Sequence, residues 1–340
     1  MNVSDVIPER IRFYDIAKGI GIISVVWAHS SGIFTDYINQ MHMPLFFLIS
    51  GILYSSKRGP KEFTIQKLKH LYIPYIFWNL LAVIVKGFLS HSLSIKTVAL
   101  VTLTVLRDGQ FFGATWFLAS LLQVSIIFRV LDYYIHNKHK EEGLLAIFIA
   151  IGLVGLFVNF PLTISRTMVL GLFFAVGHYF KTYKTIYELS TKNTILYSLL
   201  FICFIIIGSF NHVVMNQNQY RFHLLFVIGA LFASYAIIYF SKYLDKIGGR
   251  IVSVLSFLGK NSLDIVIWHF VTFRIVIIFQ LALEGVDLTP QNILQYYPCY
   301  DTSHAWWLLY VFVGIVVPIG GCHLVRKTKL GVFLSRMHII

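Results

Sequence analysis

The chain has 340 residues, 57% of them hydrophobic and only 13% charged, with 30 Phe and 19 Tyr. Soluble domains carry nearer to 25% charged residues, so this composition excludes an ordinary soluble fold. The net charge of +13 does not point to nucleic acid, because the basic residues form no patch along one element and lie in short loops between apolar runs.

Those runs are long enough to cross a bilayer as helices. A chain in hydrocarbon must satisfy its own backbone hydrogen bonds, and the alternation of a β-barrel is missing from the sequence. The expected fold is therefore all-α: a polytopic transmembrane helix bundle, one domain over residues 1–340 with no soluble appended domain. In chain order the pattern predicts ten helices, near 13–33, 43–56, 71–91, 115–131, 143–160, 165–181, 193–210, 221–241, 262–284 and 305–325. The second is expected to begin at its first-turn proline, Pro44. The apolar, β-branched stretch 93–106 reads as an interfacial helix or a re-entrant segment. Asp5 and Glu9 spoil a basic leader and no small-residue cleavage site follows, so the first helix is expected to stay in the mature protein. Cys203, Cys299 and Cys322 have no spacing that suggests a disulfide framework or a metal site.

Alternate loops divide sharply by charge. One set, made of the N-terminal tail and residues 57–70, 132–142, 181–192, 242–261 and 326–340, holds 20 of the 28 basic residues. The opposite set holds Lys96 and Arg107, with Asp36, Asp108, Asp287 and Asp301 among them. The positive-inside rule then puts both termini in the cytoplasm of a multi-pass protein of a cytoplasmic membrane.

Ionisable side chains inside membrane helices are expensive and mark candidate sites. The first helix carries three on one stripe. Lys18 and His29 are 11 residues apart, three turns plus about 20°, and Asp15 lies within about 40° of the same direction. Along the axis Lys18 and His29 are about 16 Å apart. Asp15 and Lys18 read equally as an i, i+3 ion pair. His42 comes at the depth of His29 in the second helix, and two neutral imidazoles facing one cavity can share base and orienting roles. Ser50 and Gly51 read as small residues that admit a close helix neighbour. Lys67, Lys69 and His70 are either plain topology signals or a site for an anionic ligand such as a nucleotide phosphate. Trp116 reads as an interfacial anchor, and Asn261 or Ser262 as the N-cap of the ninth helix. His269, inside that helix, must find a partner, as must Arg274.

Taken in order, these segments resemble the acyltransferase-3 family of membrane O-acyltransferases. Lys18 and His29 fit its Arg/Lys-x10-His motif. Met41-His42-Met43-Pro44-Leu45-Phe46-Phe47 with Ser50-Gly51, the basic stretch Lys67 to Pro74, Trp116-Phe117-Leu118, and Gly259 to His269 resemble further family segments. Where many members carry Arg-x-x-Arg in the third-helix stretch, this chain has Lys67 and His70, which lack the bidentate fork of arginine.

The resemblance implies a bacterial inner-membrane enzyme with no tightly bound cofactor, which moves an acetyl group from acetyl-CoA (or another acyl-CoA) to a hydroxyl of a surface or lipid-linked glycan. On that expectation the donor phosphates lie near Lys67, Lys69 and His70, and the pantetheine arm passes Lys18. His29, held by Asp15 or another polar neighbour, is the base or a covalent acyl carrier, and His42 lines the acceptor side. The alternative is a transporter or flippase for a lipid-linked sugar using the same charges.

Overall fold

The computed structural model describes residues 11–30, 33–89, 113–136, 138–161, 163–181, 183, 188–337 and 339. The stretch 93–106 lies outside them. Each of the ten expected helices has its counterpart: α1 (Arg12–Ser30), α2 (Thr35–Ile52), α3 (Pro60–Lys67) continued through a π turn (Leu68–Tyr72) into α4 (Ile73–Leu89), α5 (Trp116–Tyr134), α6 (Lys140–Phe157), α7 (Ile164–Phe180), α8 (Thr191–Gly208), α9 (His223–Ile247), α11 (Ser262–Leu283) and α13 (Trp306–Arg326). Shorter helices α10 (Arg250–Lys260), α12 (Pro290–Gln295) and α14 (Lys329–Arg336) fill stretches read as loops, and a two-residue-strand hairpin, β1 (Val213–Val214) with β2 (Gln219–Tyr220), joins α8 to α9. Among the described residues, six helical stretches are by themselves long and apolar enough to cross a membrane.

Two boundaries differ from the sequence reading. α2 starts at Thr35, so Pro44 lies inside the helix and not in its first turn. The polar stretch that masked this start is satisfied internally: the fully buried Gln40 donates through Nε2 to the carbonyls of Asp36 (3.2 Å) and Asn211 (3.1 Å). The third span starts at Pro60 and runs through the π turn, where the Ile73 N–H bonds back to the Leu68 carbonyl. In a regular helix the Pro74 ring would clash with the His70 carbonyl, and the widened turn relieves that clash.

Glycine fixes two seams by backbone contact. A Cβ on Gly259 would overlap the Asp15 carbonyl oxygen and one on Gly19 the Leu255 carbonyl oxygen, locking α1 to α10. Likewise Gly51 abuts the Phe174 carbonyl and Gly177 the Leu48 carbonyl, locking α2 to α7. Only hydrogen in place of a side chain permits such approach. α8, by contrast, turns Ile195, Leu199, Ile202 and Ile206 outward at helical spacing, as a lipid-facing element should.

The start of α1 and the end of α13 lie at one end of the bundle. There Arg12 pairs with Asp245 (3.4 Å) and Arg326 with Asp264 (2.8 Å). The basic loops gather at the same end around buried Asp132. That carboxylate accepts from Tyr54 (2.6 Å) and Arg129 (3.1 Å) and pairs with Lys140 (2.6 Å). Arg129 also donates to the carbonyls of Ser56 and Arg58, tying the α2–α3 loop to α5. Unpaired ions are costly in a low-dielectric interior, which is why this cluster closes on itself.

Candidate active site

At the opposite end a cavity of about 260 Å³ opens between α1, α2, α5, α11, the hairpin and the segment after α12. His29 and His42 both line it. They reach it because α1 and α2 are antiparallel neighbours, so the last turn of one and the second turn of the other lie at one depth.

The histidines share a local construction. His42 Nδ1–H donates to the Ile38 carbonyl (2.7 Å) and His269 Nδ1–H to the Ile265 carbonyl (2.9 Å), each four residues back in its own helix. This fixes both as Nδ1–H tautomers with a bare Nε2. The bare Nε2 of His269 lies 3.1 Å from Nδ1 of His29, so His29 donates from Nδ1 to His269. The Val25 carbonyl, one turn back, also accepts from His29. His29 is thereby left with an unprotonated Nε2 in a residue that faces the cavity. His269 is fully buried, and Phe270 packs on His29 with ring centroids 4.7 Å apart. A neutral imidazole held this way can take a proton from a hydroxyl.

Asp15 does not support His29. Its carboxylate lies 2.8 Å from Lys18 Nζ, and the pair sits at the other end of α1 beside the α10 seam, with the Asp15 side chain 2% exposed. Fourteen residues of helix, about 21 Å, separate it from His29. The supporting neighbour is His269, from α11.

Other candidates are placed as follows. Ser50 Oγ donates to the Phe46 carbonyl (2.8 Å) and is occupied in its own helix. Lys67 lies over the Phe63 ring at 5.3 Å, and Lys69 and His70 are exposed on the π turn. None of these three lines the cavity. Asn261 occupies the N-cap position of α11 without a side-chain cap; its amide donates back to the Phe257 carbonyl (2.8 Å) and finishes α10. Ser262 is the first residue of α11 and half-buried.

Trp116 is not an interfacial anchor. It is buried, lines the cavity, and lies 4.5 Å from the guanidinium of Arg166. Its placement follows from hydrogen bonds on either side. Asn79 Nδ2 donates to Thr115 Oγ1 (3.0 Å), and Thr167 Oγ1 donates to Ser120 Oγ (2.8 Å). Arg274 donates to the carbonyls of Ile293 (3.0 Å) and Tyr296.

The cavity also has members that no motif flagged: Asn39, Asn216, Phe270 and Tyr297. Tyr297 stacks on Phe270 at 5.1 Å. Cys299, next along, donates through Sγ to the His29 carbonyl (3.4 Å), and burial pushes its thiol up to about 12. It is therefore no nucleophile at neutral pH.

Residues 11–324 match the family model of an acyltransferase domain, Acyl_transf_3. The chain belongs to the acyltransferase-3 family. No curated protein and no solved structure matches it. In this membrane acyltransferase the two ends of the Lys18-x10-His29 spacing are divided. Lys18 is paired near the basic end of the bundle, and His29 is paired in a cavity at the other.

Proposed function

We propose that this acyltransferase moves an acetyl or related acyl group from acyl-CoA to a hydroxyl of a cell-surface or lipid-linked glycan, with His29 as general base. The observation that carries this reading is the His29–His269 pair, which leaves a bare imidazole nitrogen on a cavity-lining side chain. The sugar O–H gives its proton to His29 Nε2 while its oxygen attacks the thioester carbonyl. The C–S bond then breaks, and the departing thiolate takes the proton back from the imidazolium. His269 orients the ring and accepts from Nδ1–H, a contact that strengthens as His29 becomes cationic. His42 offers a second bare Nε2 to the acceptor.

The charge split of the loops supports a cytoplasmic basic end, from which the CoA moiety enters. Lys67, Lys69 and His70 stand at that end to meet its phosphates, and Lys18 lies on the path of the pantetheine arm. The cavity then faces the acceptor on the far side of a cytoplasmic membrane. The test is acetyl transfer from acetyl-CoA to cell-surface glycan in cells expressing the protein or His29→Ala at equal level. Acetylation must disappear with His29→Ala. Unchanged acetylation sinks the reading.

A further inference from the structure

Two buried arginines take no part in that proton transfer. Arg166, in the first turn of α7, is 4% exposed, and Arg274, midway along α11, is 6% exposed. A guanidinium inside a membrane span costs at least about 2.5–3.5 kcal/mol, so each calls for a reason. The two are built alike. Arg166 donates from Nη1 to the carbonyl of Asn216 in the β1–β2 hairpin (2.8 Å) and lies over the ring of Trp116. Arg274 donates from Nη1 to the carbonyls of Ile293 and Tyr296 and lies 5.9 Å from the centre of the Tyr297 ring.

Asn216, Trp116 and Tyr297 all line the His29 cavity. Each arginine therefore grips one irregular backbone segment at the rim and one aromatic side chain of the wall. Guanidinium suits this double task, since its fork donates in plane while its face stacks. Ile293 and Tyr296 also pack on the core around Phe270 and Phe273, and Arg274 adds the polar tie, because α12 is six residues long and contributes no buried side chain.

We propose that Arg166 and Arg274 are positioning residues for the acceptor: they hold Trp116 and Tyr297 as aromatic walls that a saccharide ring contacts with its hydroxyl toward His29. This inference rests on the O-acyltransferase reading above. The apolar C–H face of a pyranose packs on aromatic faces, and the amides of Asn39 and Asn216 offer donors and acceptors for ring hydroxyls. Such walls discriminate by ring shape. An axial hydroxyl interrupts the C–H face, so epimers are told apart without a charged contact.

The experiment uses the full chain in proteoliposomes with acetyl-CoA and two acceptors, methyl β-glucopyranoside and methyl β-galactopyranoside. Arg274→Gln and Arg166→Gln are each expected to raise the acceptor KM at least tenfold and to shrink the preference between the epimers. kcat and the acetyl-CoA KM should stay within threefold. Arg274→Lys should recover part of the loss, and Tyr297→Leu, which leaves both arginines in place, should reproduce it.

Hydrogen exchange supplies a readout besides turnover. Arg274→Gln should speed exchange in 293–298 and not in 213–220, and Arg166→Gln the reverse, with α9 unchanged as the folding control. Unaltered exchange at the rims overturns the inference, and so does a fall in kcat with an unaltered acceptor KM. If the wild-type chain acetylates neither glycoside, the reading of a glycan acceptor fails instead. The walls are then judged by whether either glycoside at saturation slows exchange of both rims, and no slowing overturns this inference as well.

Discussion

Removing His269 tests the dyad more sharply than removing His29, because it alters the base without deleting it. In His269→Ala the His29 Nδ1–H loses its acceptor at 3.1 Å and keeps only the Val25 carbonyl. A hydrogen bond to a charged group contributes about 1.5–3 kcal/mol. That interaction matters most when His29 is protonated, so the loss should appear in kcat. At about 1.36 kcal/mol per decade it corresponds to roughly a ten- to 150-fold fall. The acceptor KM should hardly move, since His269 is fully buried and does not line the cavity. His269→Gln, whose carbonyl oxygen can accept the same bond, should recover part of the rate. The assay is acetyl-CoA turnover in proteoliposomes against a glycoside acceptor, with thermal unfolding measured in parallel. Wild-type kcat in a folded His269→Ala protein, beside an inactive His29→Ala, would refute the dyad.

Other outcomes follow from the geometry. Lys18→Met breaks the ion pair of the buried Asp15 carboxylate and should destabilise by about 3–5 kcal/mol, read as a lower Tm in detergent. The double variant Asp15→Asn/Lys18→Met should regain the Tm, and a double variant that is stable yet inactive would assign Lys18 to the donor path rather than to packing. Gly177→Ala drives a methyl into the Leu48 carbonyl and should lower the Tm by the equivalent of about 1–3 kcal/mol or more, whereas Gly143→Ala, with open space around it, should be neutral. Asp132→Ala leaves Arg129 and Lys140 without their carboxylate and should cost about 3–5 kcal/mol, again read as Tm. Cys299, with its thiol pushed up to about 12, should resist a maleimide at pH 7 in the wild-type chain and become labelled in Arg274→Gln, where the neighbouring segment 293–296 loses its tie to α11. Equal labelling of both proteins would contradict that account.

The helices were readable because lipid imposes one rule, apolar runs about 20 residues long, and all ten runs became helices. The boundaries that failed did so where polar residues are satisfied inside the protein, as Gln40 is by the Asn211 carbonyl. The stretch 57–70 looked like a loop because it carries five Lys and Arg residues, and a π turn is not written in any residue pattern. His29, His42 and His269 were visible singly as buried imidazoles. Their pairing was not, since His29 and His269 are 240 residues apart. The stripe on α1 made Asp15 look like the partner of His29, yet a shared face says nothing about 21 Å of axial separation. Arg274 was visible as an intramembrane charge. What it and Arg166 grip depends on a hairpin and a six-residue helix too irregular for periodicity to find.

The glycine seams have a bearing on motion. Side-chain packing can slide by changing rotamers, but backbone pressed on backbone cannot. α1 and α2, which carry His29 and His42, are each clamped in this way to a second helix, α10 and α7. The two imidazoles thus ride on a chassis with no soft joint between it and its neighbours. On the proposed function, substrate traffic must then leave these two seams in place, an arrangement that favours accurate proton transfer over adaptable binding.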